Sequence, residues 1–545
     1  MSIYNDKITT KREGSALQTV KVWKERFAHV FGGMGFHNNE AMLYPLIEKE
    51  HFDQLLCKCY LEAAPGFMRT FAGYADWTKE SMDAFYEYYS RTQKVTDTPM
   101  YLAAAKGAIH FSEEEMEDYC EKVAENLRYL KKEKGMNHLR YYCFSNEMTR
   151  GVYGALLKDL PMFKRYHEML YRAFQKRDLQ IGLLATDASD YKNWETMDWA
   201  IENMADITED YCLHIYERDP DLENLEFYHF FYEKCLEKVE KALKNDGRRF
   251  ILGEIGIQDG SKQALPNKNV LLDVCRFYDD DQKRAYCALK LVEMAFAAIN
   301  AGVFSLAYWS FTDYPDPYSC AYSEKPGFAK KWGECERFIS GTTDFKYNKW
   351  GFFRWEEDGD HSPREPWWAV APMVKLYKRN SKVLTIDAGD DKLRCCGICN
   401  RDGSVTVGII NRHKTPKEIS LETDLFQKPI RVYRYDPQNV PYNRFGDLQD
   451  PIAVLDSKMP TYTLMPESIV YFTTDYQEKT ETVEAQNLQI AEGKLTWDPV
   501  TDQNHCYYRI FADGVQIAST IACDLPIENE STTYKVKSVD QWGNI

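Results

Sequence analysis

Two short apolar runs in this 545-residue chain each end on a carboxylate. The first, Tyr141-Tyr142-Cys143-Phe144-Ser145, stops at Asn146-Glu147; the second, Phe250-Ile251-Leu252-Gly253, stops at Glu254, with Gly256 just beyond. A charge that closes a buried strand is costly unless it is paired or used. Two such charges delivered to one mouth could divide acid–base work on a sugar linkage. One would protonate the leaving oxygen while the other attacks or supports the anomeric carbon. Glu147 and Glu254 are therefore the candidate catalytic pair.

Whether they meet depends on the elements that carry them. From about Phe27 to Phe311 short apolar runs alternate with longer segments of helical period, the pattern of repeated βα units around a parallel sheet. The runs lie at 27–33 (opening into 34–38), 66–71, 100–105, the stretch before Glu147, 180–187, 211–216, the stretch holding Glu254, and 303–311. Ser112-Glu113-Glu114-Glu115 has the form of a capping box, and Gly135 marks the stop of the helix it opens. Eight such units predict a (β/α)₈ TIM barrel over residues 1–378, whose strand carboxyl ends form the active face. In this count Glu147 closes the fourth strand and Glu254 the seventh.

After the aromatic-rich segment 350–368 helical period gives way to short alternating strands. A small β-sandwich is expected over residues 379–476, with strands at 393–399, 405–410, 419–423, 430–435 and 468–473. Asn400-Arg401-Asp402-Gly403 supplies its first hairpin turn. Beyond a polar linker, residues 484–545 form a third unit. Its Trp497-Asp498-Pro499, Tyr508-Arg509-Ile510-Phe511 and Tyr534-Lys535-Val536-Lys537-Ser538-Val539-Asp540 resemble a fibronectin type III module.

A net charge of −16 argues against nucleic acid and anionic membrane surfaces, which need clustered Lys and Arg, and favours a neutral substrate. The amino-terminal residues lack the apolar core of a secretory signal. The stretch from Leu291 to Trp309 is interrupted by Glu293 and Asn300 and reads as a helix followed by a strand, not a membrane span. Fifteen cysteines, an odd count scattered through apolar runs, suit buried thiols in a reducing compartment and a cytoplasmic location. Cys396-Gly397-Ile398-Cys399 has half-site spacing but no second pair, so it reads as strand and not as a zinc or redox centre. No metal and no other cofactor is expected. The β-modules offer surfaces for self-association.

Asn146-Glu147 closing strand four, Glu254 closing strand seven and the run from Leu464 to Phe472 resemble the retaining β-glycosidases of clan A (GH-A), (β/α)₈ hydrolases with a β-sandwich partner. The resemblance implies that Glu147 is the acid/base, Glu254 the nucleophile, and a carbohydrate the substrate. It implies that Arg69 hydrogen-bonds the nucleophile, that Tyr216 or alternatively His214 holds it ionised, that Asn146 binds a sugar hydroxyl, and that Trp309 floors the sugar ring. From the residues alone, Arg69 also reads as a rim ion pair and Trp309 as barrel packing. A cation or phenol beside Glu254 would hold its carboxyl down. His37, Asn38 and Asp187 read as sugar-hydroxyl ligands or as loop residues with local roles. Tyr314, Tyr318, Trp350, Trp355, Trp367 and Trp368 could build a sugar-stacking cleft or join barrel to sandwich. Met148 stands where many clan members have proline. Two other readings are a metal-dependent barrel hydrolase, for which only His37 and His214 end strands, and a carbohydrate-binding protein on an inactive barrel.

Overall fold

The computed structural model describes residues 17–38, 47–72, 75, 77–92, 98–103, 112–148, 158–217, 224–245, 247–258, 261–264, 271–274, 277–315, 347–348, 350–354, 360–458, 460–478 and 483–545. Eight parallel strands close into a barrel: β1 Gly33–His37, β2 Phe67–Phe71, β3 Met100–Ala103, β4 Leu139–Cys143, β5 Gly182–Ser189, β6 Asp210–Glu217, β7 Phe250–Ile257 and β8 Ser305–Tyr308, with β8 pairing back to β1. Both faces of these strands are covered, so they read as unbroken apolar runs without alternation. The expected capping box is present: Ser112 Oγ accepts from the Glu115 amide at 3.2 Å, and the Glu115 carboxylate accepts from the Ser112 amide at 2.7 Å.

Two expectations at the amino terminus are corrected. The run 27–33 is not the first strand. Phe27 stacks on His29 with ring centroids 5.0 Å apart, His29 Nε2 reaches the Gly302 carbonyl at 3.1 Å, and β1 starts only at Gly33. Residues 1–378 are also not all barrel. Gln18–Glu25 is a strand of the sandwich, antiparallel to Lys382–Asp387 and parallel to Lys417–Glu422. It alternates, with Val20 and Val22 buried and Lys21 and Trp23 exposed, as a strand with one wet face does.

Among the described residues the sandwich sheet has nine strands, and the five expected ones are found at 393–399, 405–411, 417–422, 430–435 and 469–473, where the sequence predicts 405–410, 419–423 and 468–473 for the second, third and fifth. Val22, Val407, Ile409, Leu421, Val432 and Phe472 fill its core. Helix Arg284–Ala301 lies between sheet and barrel and is buried on nearly every side. That explains its two polar interruptions. Glu293 meets Arg412 of the sandwich at 3.2 Å, and the Asn300 amide donates to the Cys395 carbonyl at 2.8 Å. Trp367 likewise joins barrel to sandwich, packing on Phe36 and Phe353 while its Nε1–H donates to the Gly446 carbonyl at 3.1 Å. Tyr318, Trp355 and the side chain of Tyr314 lie outside the described residues.

Cys396 and Cys399 sit in one strand at odd spacing and so point to opposite faces. The carboxyl-terminal unit is two three-stranded sheets around Leu495, Trp497, Tyr508, Ile510 and Val536. Its Cys506, Tyr507 and Val539 belong to the hydrophobic core of the barrel itself, so the unit is packed onto the barrel rather than strung beside it. Among the described residues no helix is long and apolar enough to cross a membrane.

Candidate active site

The two glutamates meet at the carboxyl ends of the strands. Glu254 lies within β7, while Glu147 lies past the end of β4 in a left-handed backbone conformation, φ +50°. One oxygen of each, together with a ring nitrogen of His214, lie within 4.8 Å of one another. Both carboxyl groups are buried, Glu147 at 8% exposure and Glu254 at 3%. Met148 is buried beside them in the barrel core.

Glu254 is held from three sides. Arg69 Nη1, from β2, donates to its Oε1 at 2.5 Å; the Tyr216 hydroxyl, from β6, donates to Oε2; and His214 Nδ1 lies 3.5 Å from Oε2. Tyr216 and His214 thus both reach the nucleophile candidate, so the two are partners and not alternatives. Burial pushes the Glu254 carboxyl above its ordinary value, against the pull of His214, Arg69 and the Tyr216 hydroxyl, and the charge of Glu147 pushes the same way as burial. The expected depression is therefore not the net outcome: the donors are in place, and desolvation outweighs them.

Strand register explains this convergence. His214 and Glu254 are direct neighbours across β6 and β7, because the register slips by one residue after Leu213 and Gly253 is the residue left over. A Cβ on Gly253 would stand 2.6 Å from Cys212 Sγ and 3.0 Å from His214 Nε2. Gly253→Ala must therefore displace the Cys212 thiol and press on the imidazole. The expected cost is about 1–3 kcal/mol of stability, as for other overpacked cores. Chemical denaturation checks it, and turnover should fall as well.

Arg69 also spans the site. Its Nη1 donates to His37 Nδ1 at 2.9 Å, and its Nη2 donates to Asn146 Oδ1 at 2.7 Å and to Asp187 Oδ2 at 3.1 Å. With its carbonyl so engaged, Asn146 turns its amide NH₂ outward. His37 is buried under Trp309, ring centroids 4.3 Å apart, and orients Arg69. Asn38 does not join the site: its Nδ2 donates to the Tyr88 hydroxyl at 2.6 Å. Successive residues of a strand point to opposite faces, so His37 and Asn38 could not both face the mouth. Trp309 packs edge-on against Trp350 at 6.0 Å, and Trp350 also contacts Tyr216 at 5.9 Å, so these aromatics wall the glutamates.

Sequence reasoning gave too little weight to Asp187 and missed Tyr101 and Cys212. Asp187 is fully buried and accepts from the Tyr101 hydroxyl at 2.6 Å, His214 Nε2 at 2.8 Å and Cys212 Sγ at 3.2 Å. Asp187, Cys212 and His214, and separately Glu147, His214 and Glu254, are close enough to share an ion. As the residues stand, the Cys212 thiol donates to Asp187, and Arg69 already occupies an oxygen of each of Asp187 and Glu254. The donor set fits a hydrogen-bonded cluster.

No protein-family model matches the sequence, and no curated protein matches it. Solved structures do. The catalytic domain of GH30 xylanase C from Talaromyces cellulolyticus aligns over 84% of this chain and 99% of its own, with a TM-score of 0.55 and 12% identity. A glucosidase from Croceicoccus marinus aligns over 84% and 99% with a TM-score of 0.53 and 11% identity. An endo-β-1,6-glucanase aligns over 84% and 93% with a TM-score of 0.51 and 12% identity. At these identities the likeness is one of fold: a (β/α)₈ barrel with a β-sandwich domain.

Proposed function

We propose that the chain is a glycoside hydrolase of the clan A type that cleaves β-linked glycosides or oligosaccharides with retention of configuration. The observation that carries this reading is the approach of Glu147 and Glu254 to within 4.8 Å, oxygen to oxygen. Retaining enzymes hold their carboxyl groups about 5–5.5 Å apart, whereas inverting enzymes leave roughly 6.5–9.5 Å for a water. Glu254, with Arg69 and Tyr216 donating to it, is the carboxylate that stays ionised. Two carboxylates this close titrate as a pair that keeps one proton over a wide range. That proton belongs on Glu147.

In the first step the Glu254 carboxylate attacks the anomeric carbon as the glycosidic C–O bond breaks, and the Glu147 proton passes to the leaving oxygen. In the second, Glu147 takes a proton from water, whose oxygen attacks the same carbon and breaks the bond to Glu254. The Asn146 amide NH₂ is placed to donate to a sugar hydroxyl, and Trp309 with Trp350 offers an apolar wall to the ring. Residues 484–545 are proposed as a fibronectin type III-like module, which the two packed sheets support. The test of the mechanism is incubation with 2-fluoro glycosides of both anomeric configurations, followed by peptide mass mapping. The expected result is a stable label on Glu254 from a β-configured reagent. A label on another residue, or reaction with α-configured reagents alone, rejects the reading.

A further inference from the structure

The cluster behind the glutamates is organised by Asp187, a residue the proposed mechanism does not use. It sits near the end of β5, where pairing with β6 slips between Thr186 and Ala188, and its backbone is left-handed, φ +59°. Among the described residues, every hydrogen bond it accepts comes from a buried donor. Two of these donors, Arg69 and His214, are the groups that face Glu254 from the other side.

His214 is the informative partner. Its Nε2 points at the Asp187 carboxylate and so carries a hydrogen. Its Nδ1 is buried, has no hydrogen-bond partner among the described residues, and lies 3.5 Å from Glu147 Oε1 and 3.5 Å from Glu254 Oε2. A bare ring nitrogen would turn a lone pair toward two acidic oxygens, whereas a protonated one turns a donor toward both. With His214 as imidazolium the buried charges balance: Arg69 and His214 against Asp187 and Glu254, with Glu147 neutral. Among the described residues the other titratable groups around Asp187 and His214 are the hydroxyl of Tyr101 from β3, the thiols of Cys143 from β4 and Cys212 from β6, and the hydroxyl of Tyr216, which donates to the Glu254 oxygen that His214 faces. These are acids that burial keeps protonated. Although burial works against an imidazolium, Asp187 and Glu254 together raise the basicity of His214 well above its ordinary value, and Asp187 itself is held well below the carboxylate range because His214 and Arg69 outweigh its own burial.

We propose that Asp187 is a positioning residue that fixes His214 as an imidazolium between Glu147 and Glu254, so that the catalytic pair is held with one proton and a stationary cation beside it. This rests on the proposed roles of the two glutamates. It adds a third carboxylate whose work is done through His214 and Arg69 without touching substrate.

The test has two arms. The first needs no activity. In protein labelled with ¹⁵N-histidine, the His214 ring, assigned by its loss in His214→Asn, is expected to carry a proton on both nitrogens at neutral pH, and to lose one in Asp187→Asn. Tyr101→Phe, which removes a neutral hydrogen bond from Asp187, should leave both protons in place. The second arm is kinetic. Asp187→Asn is expected to lower kcat by about 10–100-fold with little change in KM. Without the cation both glutamates ionise less readily, so both limbs of the kcat/KM profile should move to higher pH by about a unit or more. A neutral His214 ring in the wild-type protein overturns the proposal, as does an Asp187→Asn profile lower in height but unmoved along the pH axis. Failure of the glutamate assignment shows separately, as a 2-fluoro label elsewhere than Glu254 while His214 still carries both protons.

Discussion

Alanine in place of Glu147 is expected to slow hydrolysis of glycosides with poor leaving groups by about 10²–10⁴-fold, the usual contribution of a positioned general acid. A dinitrophenyl glycoside, whose leaving group needs no proton, should still react with Glu254 at close to the wild-type rate and then stall as the glycosyl-enzyme, because no base remains to activate water. Azide, a nucleophile that needs no base, should restore turnover and give a β-glycosyl azide. The pH profile follows from the same division of labour. Glu254 must be ionised, and burial sets its carboxyl above the ordinary value, so the acid limb should lie higher than that of an exposed glutamate. The alkaline limb belongs to the Glu147 proton and should vanish in the variant while the acid limb persists. Equal losses on all leaving groups, or an α-configured azide product, would count against Glu147 as the acid/base.

The glutamates were legible because a charge that ends an apolar run is anomalous without any knowledge of the fold. Arg69 was legible only through the family resemblance; from the residues alone a cation inside Phe67–Phe71 reads equally as a rim ion pair. Asp187 was harder. Thr186-Asp187-Ala188-Ser189 reads as the polar exit of a strand, and its value comes from Arg69 and His214, which are distant in sequence and reach it only across the closed barrel. Tyr101 was hidden for the opposite reason: a tyrosine in an apolar run looks like core, and only the register places it beside Arg69. His37 and Asn38 show the limit of adjacency. They are adjacent at the end of one strand, yet alternation sends His37 to Arg69 and Asn38 to Tyr88. Strand Gln18–Glu25 was overlooked because its partners in the sheet lie on the far side of the whole barrel sequence.

The other large effect expected is on stability and lies away from the site, where barrel, sandwich and carboxyl-terminal unit share buried charges. Lys58 Nζ, on barrel helix Cys57–Ala63, lies 2.6 Å from Asp447 Oδ1 and 3.2 Å from Glu62 Oε2, and 5.1 Å above the Tyr507 ring. Asp447 Oδ2 accepts from Gln516 at 2.6 Å and Ser519 at 2.9 Å and lies 3.3 Å from Arg509 Nε, while the Tyr507 hydroxyl donates to Glu62 at 2.8 Å. Two cations balance two anions, all nearly excluded from water. Asp447→Ala leaves a buried excess positive charge and should cost about 3–5 kcal/mol; Lys58→Met leaves an excess negative one and should cost about the same. Paired as Lys58→Met with Asp447→Leu, the changes should cost much less than the sum of the singles, because the double variant removes the stranded charge that each single leaves. Acid should act like Asp447→Ala. The partners of Asp447 outweigh its burial and hold its carboxyl below the ordinary value, so its contribution is complete above the unfolded-state value of about 4 and is lost as pH falls through the folded one. Lys58 is shifted upward, so its contribution is complete at neutral pH and is lost only on the alkaline side, beyond its ordinary value. Urea unfolding at neutral pH measures the variants, and unfolding of the wild type followed from neutral pH to well below pH ~4 measures the acid effect. Single variants within about 0.5 kcal/mol of wild type would mean that the three units are held together by apolar packing around Cys506, Tyr507 and Val539 alone.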